Sequence, residues 1–263
     1  MEGTPNYTEI IHKLEIVSKV ILIQLADKVE TNKDKYLRNA IARSISLLKA
    51  INQLYSTKEY NSGWILYRSL IDRLVYVFYF SDDVNFTSFD NWSFIKTFEY
   101  RNNVKSYNKY QVRKPKLGLD HNKSEVDKYY ELKKRKIKWS KPDPETVLKQ
   151  KGFDFLYNFG YDFASVHSHP IVTDGEFEFY SLTGIEPNPY KIIDQNNLIK
   201  NSILIHSIIQ QEVYNQLTYR FIGVLHSLIE ETRKIINREP NEFDAVYQRT
   251  IIYINERVNL FEK

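Results

Sequence analysis

One stretch limits the fold more than any other: Asn61 to Asp83, NSGWILYRSLIDRLVYVFYFSDD. From Trp64 to Phe80 it is apolar or aromatic on nearly every side, interrupted only by Arg68, Ser69, Asp72 and Arg73. A helix that is hydrophobic all round belongs at the centre of a bundle or in a membrane. This run is shorter than the roughly 18 residues a span needs and carries three charges near its middle, which turns the choice against the membrane. The expectation is a central helix that takes Arg68 and Asp72, four apart and on one face, into the interior as a pair. Buried charges are costly unless paired, so a chain that keeps two of them there is suspected of using them.

The flanking segments repeat apolar residues at helical spacing. Ile10, Leu14, Val17, Ile21, Leu25 and Val29 form one seam, and Leu37, Ile41, Ile45, Leu48, Ile51 and Tyr55 a second. Asn61–Gly63 reads as a junction with Ser62 as N-cap of the central helix. Ser81 to Ser88 reads as a loop, followed by a helix from Trp92 to about Tyr110, a connection around Pro115 and Gly118, and a helix from Ser124 to Trp139. Asp143 and Pro144 start a short helix that Gly152 ends. Asp154 to His169 is then helical until Pro170. Ile171 to Tyr190 is a long loop with a short extended piece near Phe177–Tyr180, the kind of segment that serves as a lid or binding loop. Helical spacing holds over about 196–237 with no breaker except Gly223, and a last helix is expected from Asn241 to about Phe261. No breaker-rich linker divides the chain, so residues 1–263 are read as a single all-α domain, a multi-helix bundle with a central apolar helix and a long C-terminal helix.

Composition narrows the class. Hydrophobic residues make up 42% and charged residues 27%, the balance of a water-soluble globular chain. Only eight glycines and eight prolines disfavour a turn-rich β fold. Cysteine is absent, which removes disulfides, thiolate metal sites and cysteine nucleophiles and points to a reducing cytoplasm. The first residues, MEGTPNYTEIIHKLE, show no secretory signal. Neither a membrane partner nor a cofactor is expected. Net charge is only +4, too little by itself to argue for nucleic acid. Abundant Lys, Asn, Ile and Tyr is what AT-rich codons give, as in many bacteria.

Four groups of residues remain as candidates. Arg68 and Asp72 are either a buried salt bridge that sets helix packing or an anion clamp, with the Arg68 fork on a phosphate, Asp72 orienting it and Arg73 joining from the flank. In YDFASVHSHP, Tyr161, Ser165 and His169 share a helix face; His169 is either a general base beside a hydroxyl or a cation at a helix end. His167 and His169, with Asp174, Glu176 and Glu178 following, raise a metal site, but alternate histidines diverge by about 200° on a helix, so none is assigned. Arg220 and His226 have the spacing of the loose Arg–His motif of HEPN ribonucleases, although on a straight helix they would point about 120° apart. Finally, LKKRKIKWSK (Leu132 to Lys141) sets lysines beside Trp139, which is either a solvated face or a surface for an RNA backbone and unstacked bases.

Taken in order, WILYRSLIDRLVYVFY, KWSKPDPETVLKQKG and YDFASVHSHP resemble a family of bacterial all-helical proteins defined only as a domain of unknown function, over roughly Leu37 to Pro170. The resemblance places that family's motif positions on Arg68, Asp72, Trp139, Tyr161, Ser165 and His169, with Asp72 where Glu is commoner. The plan is also loosely similar to HEPN-type domains of defence and toxin systems. That analogy implies a defence or toxin-type effector acting on RNA or a nucleotide without a metal. Arg68, Asp72, Ser165 and His169 would be catalytic, with Tyr161, Arg73, Trp139 and His167 binding substrate. It further implies a homodimer and an antitoxin or defence-system partner. A non-catalytic ligand-binding or protein-interaction module is the alternative.

Overall fold

A computed structural model of the chain describes residues 5–26, 30–106, 120–166, 175–185 and 196–259. Its helices are α1 (Tyr7–Ala26), α2 (Asn32–Ser56), α3 (Tyr60–Tyr79), α4 (Asp83–Ser106), α5 (Lys123–Lys134) and α6 (Pro144–Gln150). Next comes α7, in which Asp154–Leu156, Tyr157–Tyr161 and Asp162–Val166 follow without a gap, the middle five residues as a π-helical turn. After it come α8 (Glu176–Thr183), α9 (Asn196–Gln216), α10 (Ile222–Asn237) and α11 (Phe243–Asn259). No strand occurs among the described residues, so the all-α class holds. No described helix is long and apolar enough to cross a membrane.

The chain divides into two compact units, Met1–Phe78 with Asp143–Lys263, and Tyr79–Pro142. The first crossing falls at the last turn of α3 and the second at a proline, so neither carries the Gly- or Ser-rich signature of a linker.

In the first unit α2 packs on α1 and α9, α9 on α10, and α10 on α11, which returns to α1. Local chemistry fixes the starts of these helices. Thr31 caps α2: its hydroxyl accepts from the Asp34 N–H at 3.1 Å while the Asp34 carboxylate accepts from the Thr31 N–H at 3.1 Å. Thr31→Ala is expected to lower stability by about 1 kcal/mol, measurable as a shifted urea midpoint at constant slope. Asp143 caps α6, accepting from the Thr146 N–H at 3.0 Å, and Pro144 takes the first turn as its missing donor allows.

A polar stripe runs through this core. Ser202, His206, Gln210 and Tyr214 recur every fourth residue along α9 and are almost wholly buried. Gln210 donates to the Ser18 hydroxyl of α1 at 2.8 Å, and Ser18 donates back to the Leu14 carbonyl. His206 Nδ1 lies 2.8 Å from Ser44 Oγ of α2, whose own proton goes to the Ile41 carbonyl at 2.9 Å. That pattern makes Nδ1 the protonated nitrogen of a neutral ring. Each pair ties α9 to one neighbour at one register, since a slip would leave a buried polar group unmatched.

Several expectations are corrected. α3 begins at Tyr60, with the Gly63 N–H bonded to the Glu59 carbonyl, so Asn61–Gly63 is its first turn and Ser62 is not an N-cap. Gly63 is there because α9 comes close: a Cβ would sit 2.7 Å from Leu198 Cδ2. α4 starts at Asp83, the Asp82 carboxylate accepting from the Val84 N–H at 2.8 Å, so Ser81–Ser88 is mostly helix. α5 stops at Lys134, because Arg135 is its C-cap and Lys136 is left-handed at φ 52°. Phe177–Tyr180 lies within α8 rather than in an extended piece, between left-handed Gly175 and Gly184. The expected 196–237 helix is broken between α9 and α10, where Thr218 is left-handed (φ 48°) and Tyr214, Tyr219 and Phe221 pack ring on ring.

Candidate functional site

The first unit brings α3 and α7 together through small and aromatic residues. A Cβ on Gly160 would lie 2.5 Å from Tyr67 Oη and 2.9 Å from Cε1, so only glycine lets the α7 backbone rest on that ring. Tyr67 is fully buried and edge-on to Trp64, whose centroid is 5.0 Å away; Trp64 meets Phe163 of α7 in the same way at 5.0 Å. Burial pushes the Tyr67 phenol far up, with the Asn201 side chain acting in the opposite sense. Directly at this contact α7 makes its π-helical turn, the Asp162 N–H bonding the Tyr157 carbonyl five residues back. One residue more than an α-turn rotates the downstream side chains by about 100°, and π-turns of this kind recur at functional sites.

The rotated residue is Tyr161. Its hydroxyl is placed between the two charges of α3: Arg68 Nη2 donates to it at 3.5 Å, and it donates to Asp72 Oδ1 at 3.4 Å. The guanidinium carbon lies 5.2 Å from the Tyr161 ring centroid, a cation–π contact, and Tyr157 stacks on the same ring, with centroids 5.7 Å apart and 17° between planes. Tyr161 is buried, whereas Arg68 and Asp72 are half-buried. The pair is therefore at the edge of the core and not inside it, which corrects the reading of α3 as apolar all round. The helix has a buried face (Trp64, Tyr67, Leu70, Ile71, Leu74, Val75, Phe78) and a polar margin. A charged group with one side in water needs no full pairing, so its retention is cheaper than the sequence implies.

The other expected residues divide. Ser165 is near the cluster but its hydroxyl donates to the Tyr161 carbonyl at 2.7 Å, the usual bond of a helical serine one turn back. A hydroxyl so engaged is not an activated nucleophile. Arg73 is turned to Tyr36 of α2, whose phenol is raised by burial and drawn back by the guanidinium, so it does not flank Arg68 on the Tyr161 side. Trp139 belongs to the second unit, beside Phe89 and Trp92. His167 and His169 lie outside the described residues, as does Asp174. Glu178 accepts from the Asn61 amide at 2.8 Å, and no group of three metal-binding side chains occurs among the described residues. Arg220 is exposed in the turn before α10, on the Phe221 ring, while His226 is half-buried at the fifth residue of that helix, so the straight-helix geometry assumed for the pair does not apply.

Tyr157, Gly160 and Tyr67 are the contributors that sequence reading passed over. The four-residue spacing of Tyr157 and Tyr161 was a usable signal; the role of Gly160 was not, because it depends on a ring 93 positions earlier (Tyr67) touching the backbone.

Fold and cluster together define an all-helical protein with an Arg–Tyr–Asp group at the edge of its core, braced by a π-helical turn. Residues 34–177, more than half of the chain, match the model of DUF5677, a family of unknown function, and the chain belongs to that family. No curated protein and no solved structure matches it.

Proposed function

We propose that the first unit acts on RNA or a nucleotide, with Arg68 holding a phosphate. The observation that carries this reading is the Tyr161 hydroxyl set between Arg68 and Asp72. Both hydrogen bonds are long, at 3.5 and 3.4 Å. Groups that meet loosely without substrate and tighten around it are common in catalytic sites. Asp72 fixes the direction of the phenol, and the phenol in turn holds the guanidinium plane. Ser165 is committed to a carbonyl, which favours a nucleophile from the substrate itself. A ribose 2′-hydroxyl would attack the adjacent phosphorus, the P–O5′ bond would break, and a 2′,3′-cyclic phosphate and a 5′-hydroxyl would result. His169, four residues after Ser165 in sequence, is assigned the movement of the proton that leaves the attacking 2′-hydroxyl and is delivered to the departing O5′.

The competing reading is a binding module without turnover. The committed Ser165 hydroxyl favours it, since it removes one of the four groups expected to be catalytic. Incubating the full chain with labelled total RNA and with nucleotides separates the two. Turnover that falls about a hundredfold or more in Arg68→Ala and in His169→Ala, with circular dichroism unchanged, is the expected result. Turnover that survives Arg68→Ala, or none by the wild type, overturns the catalytic reading.

A further inference from the structure

The second unit carries a separate feature. Between Tyr79 and Pro142 the sequence has fifteen Lys and Arg against eight Asp and Glu, a net +7, while the rest of the chain carries −3. The modest total of +4 therefore conceals a basic unit and a slightly acidic one. Charge at that density is the electrostatic footprint of a polyanion site when it coincides with a concave surface.

It does coincide. Because α5 ends at Lys134 and Lys136 is left-handed, the chain leaves the helix and returns along α4. Exposure then alternates: Ile137 and Trp139 are half-buried, Lys136 and Lys138 exposed. Trp139 comes to rest 4.8 Å from Trp92 and 5.2 Å from Phe89, centroid to centroid. Together the two tryptophans and Lys96, Lys133, Lys136 and Lys138 line a groove of about 880 Å³. Glu99 takes up two of the lysines, at 2.5 Å from Lys133 and 3.5 Å from Lys96, and the Lys133 ammonium holds its carboxyl below the usual range. Lys136 and Lys138 have no acidic partner among the described residues.

We propose that this groove binds single-stranded nucleic acid, with phosphates on Lys136 and Lys138 and a base against Trp92 and Trp139. A duplex keeps its bases stacked on one another and offers nothing to the indoles, whereas an unpaired base has a free face. A membrane surface is the poorer fit, because the indoles are half-buried in a groove and not projecting where they could enter lipid. The inference stands on the second unit alone and does not need the first to turn anything over.

Titrating the full chain with oligouridylate and with oligodeoxythymidylate, followed by tryptophan fluorescence, tests it. Two of the three tryptophans are in the groove, and Trp64 is 4% exposed, so quenching reports on the groove. Both oligonucleotides are expected to quench, with log K falling against log salt at a slope of about −1.4 for two phosphate contacts. Tighter binding of the ribo-oligomer would assign the 2′-hydroxyl a contact, and equal binding would assign the shared chemistry. Trp139→Ala should weaken binding about fivefold or more, and Trp139→Phe, which keeps a ring against Phe89, much less. The exposed pair Lys136→Glu/Lys138→Glu should abolish most of the salt dependence without affecting folding. Any of four results overturns the proposal: no quenching, equal affinity for duplex RNA, binding untouched by the lysine pair but lost in Arg68→Ala, or preference for phosphatidylserine vesicles.

Discussion

Gly160→Ala is expected to destabilise the protein by about 1–3 kcal/mol, although alanine is the better helix former. Helix propensity alone would favour the change by about 1 kcal/mol. Against this, the new methyl group would lie 2.5, 2.9 and 3.1 Å from Oη, Cε1 and Cζ of Tyr67. Those atoms belong to a rigid, fully buried ring held edge-on by Trp64, so they cannot swing aside as the end of a flexible chain can. The backbone of α7 must back away, and it carries Tyr161 out of reach of Arg68 and Asp72. Urea unfolding should show a lower midpoint at unchanged slope. Tyr67→Phe in the same chain should recover part of the loss, because the nearest clashing atom is the phenol oxygen. A Gly160→Ala protein as stable as the wild type would show that this contact does not set the position of α7.

The second large effect is a loss of stability on mild acidification, traced to His206. Complete burial pushes its imidazole down to about 3, against 6.5 for a free ring. Between those values the unfolded chain binds a proton that the folded chain refuses. Stability is therefore complete well above pH 6.5 and falls as pH drops, by roughly 1 kcal/mol per unit and by about 3 kcal/mol at pH 4.5. Carboxylates held low by their partners, such as Glu15 by Lys49 and Glu231 by Lys234, add a loss of the same sign, but only from their usual range near pH 4.5 downward. The window from pH 6.5 to 5 thus reports on histidines: His206, and with the same sign His121, which burial and the Arg101 and Lys105 charges hold below the usual range. His206→Leu should lose most of this dependence in thermal or urea unfolding, keeping only the part due to His121, and a wild-type protein with the same profile as His206→Leu would contradict the buried neutral ring.

These two effects mark how far the sequence could be read. Helices with a clean apolar seam, α1 and α2, are legible because burial on one face enforces a repeat near 3.6. Asp143–Pro144 is legible because a cap and a missing donor act within a few residues. The breaks are less so. Neither the end of α5 at Lys134 nor the gap between α9 and α10 carries a Gly or Pro at the turning residue; Lys136 and Thr218 take the left-handed conformation instead. In the site, Arg68, Asp72 and Tyr161 stood out because charges in an apolar run and a hydroxyl on a helix face are visible one residue at a time. Their meeting depends on the π-helical turn and on Gly160 against Tyr67, which are properties of two segments in contact. The basic run was read with the wrong geometry. Read as a helix it is a solvated face; ending early, it folds Trp139 onto Trp92 and makes a groove.

The most direct measurement on the Arg68–Tyr161–Asp72 group is calorimetric titration of adenosine monophosphate into the wild type and Tyr161→Phe, paired with urea unfolding of both. The phenylalanine keeps the ring that Tyr157 stacks on and removes only the oxygen between the two charges. Stability within about 1 kcal/mol of the wild type, with affinity at least about fivefold weaker, is the expected outcome. Equal affinity in the two proteins, or no binding by the wild type, would mean that the hydroxyl organises packing and not a ligand.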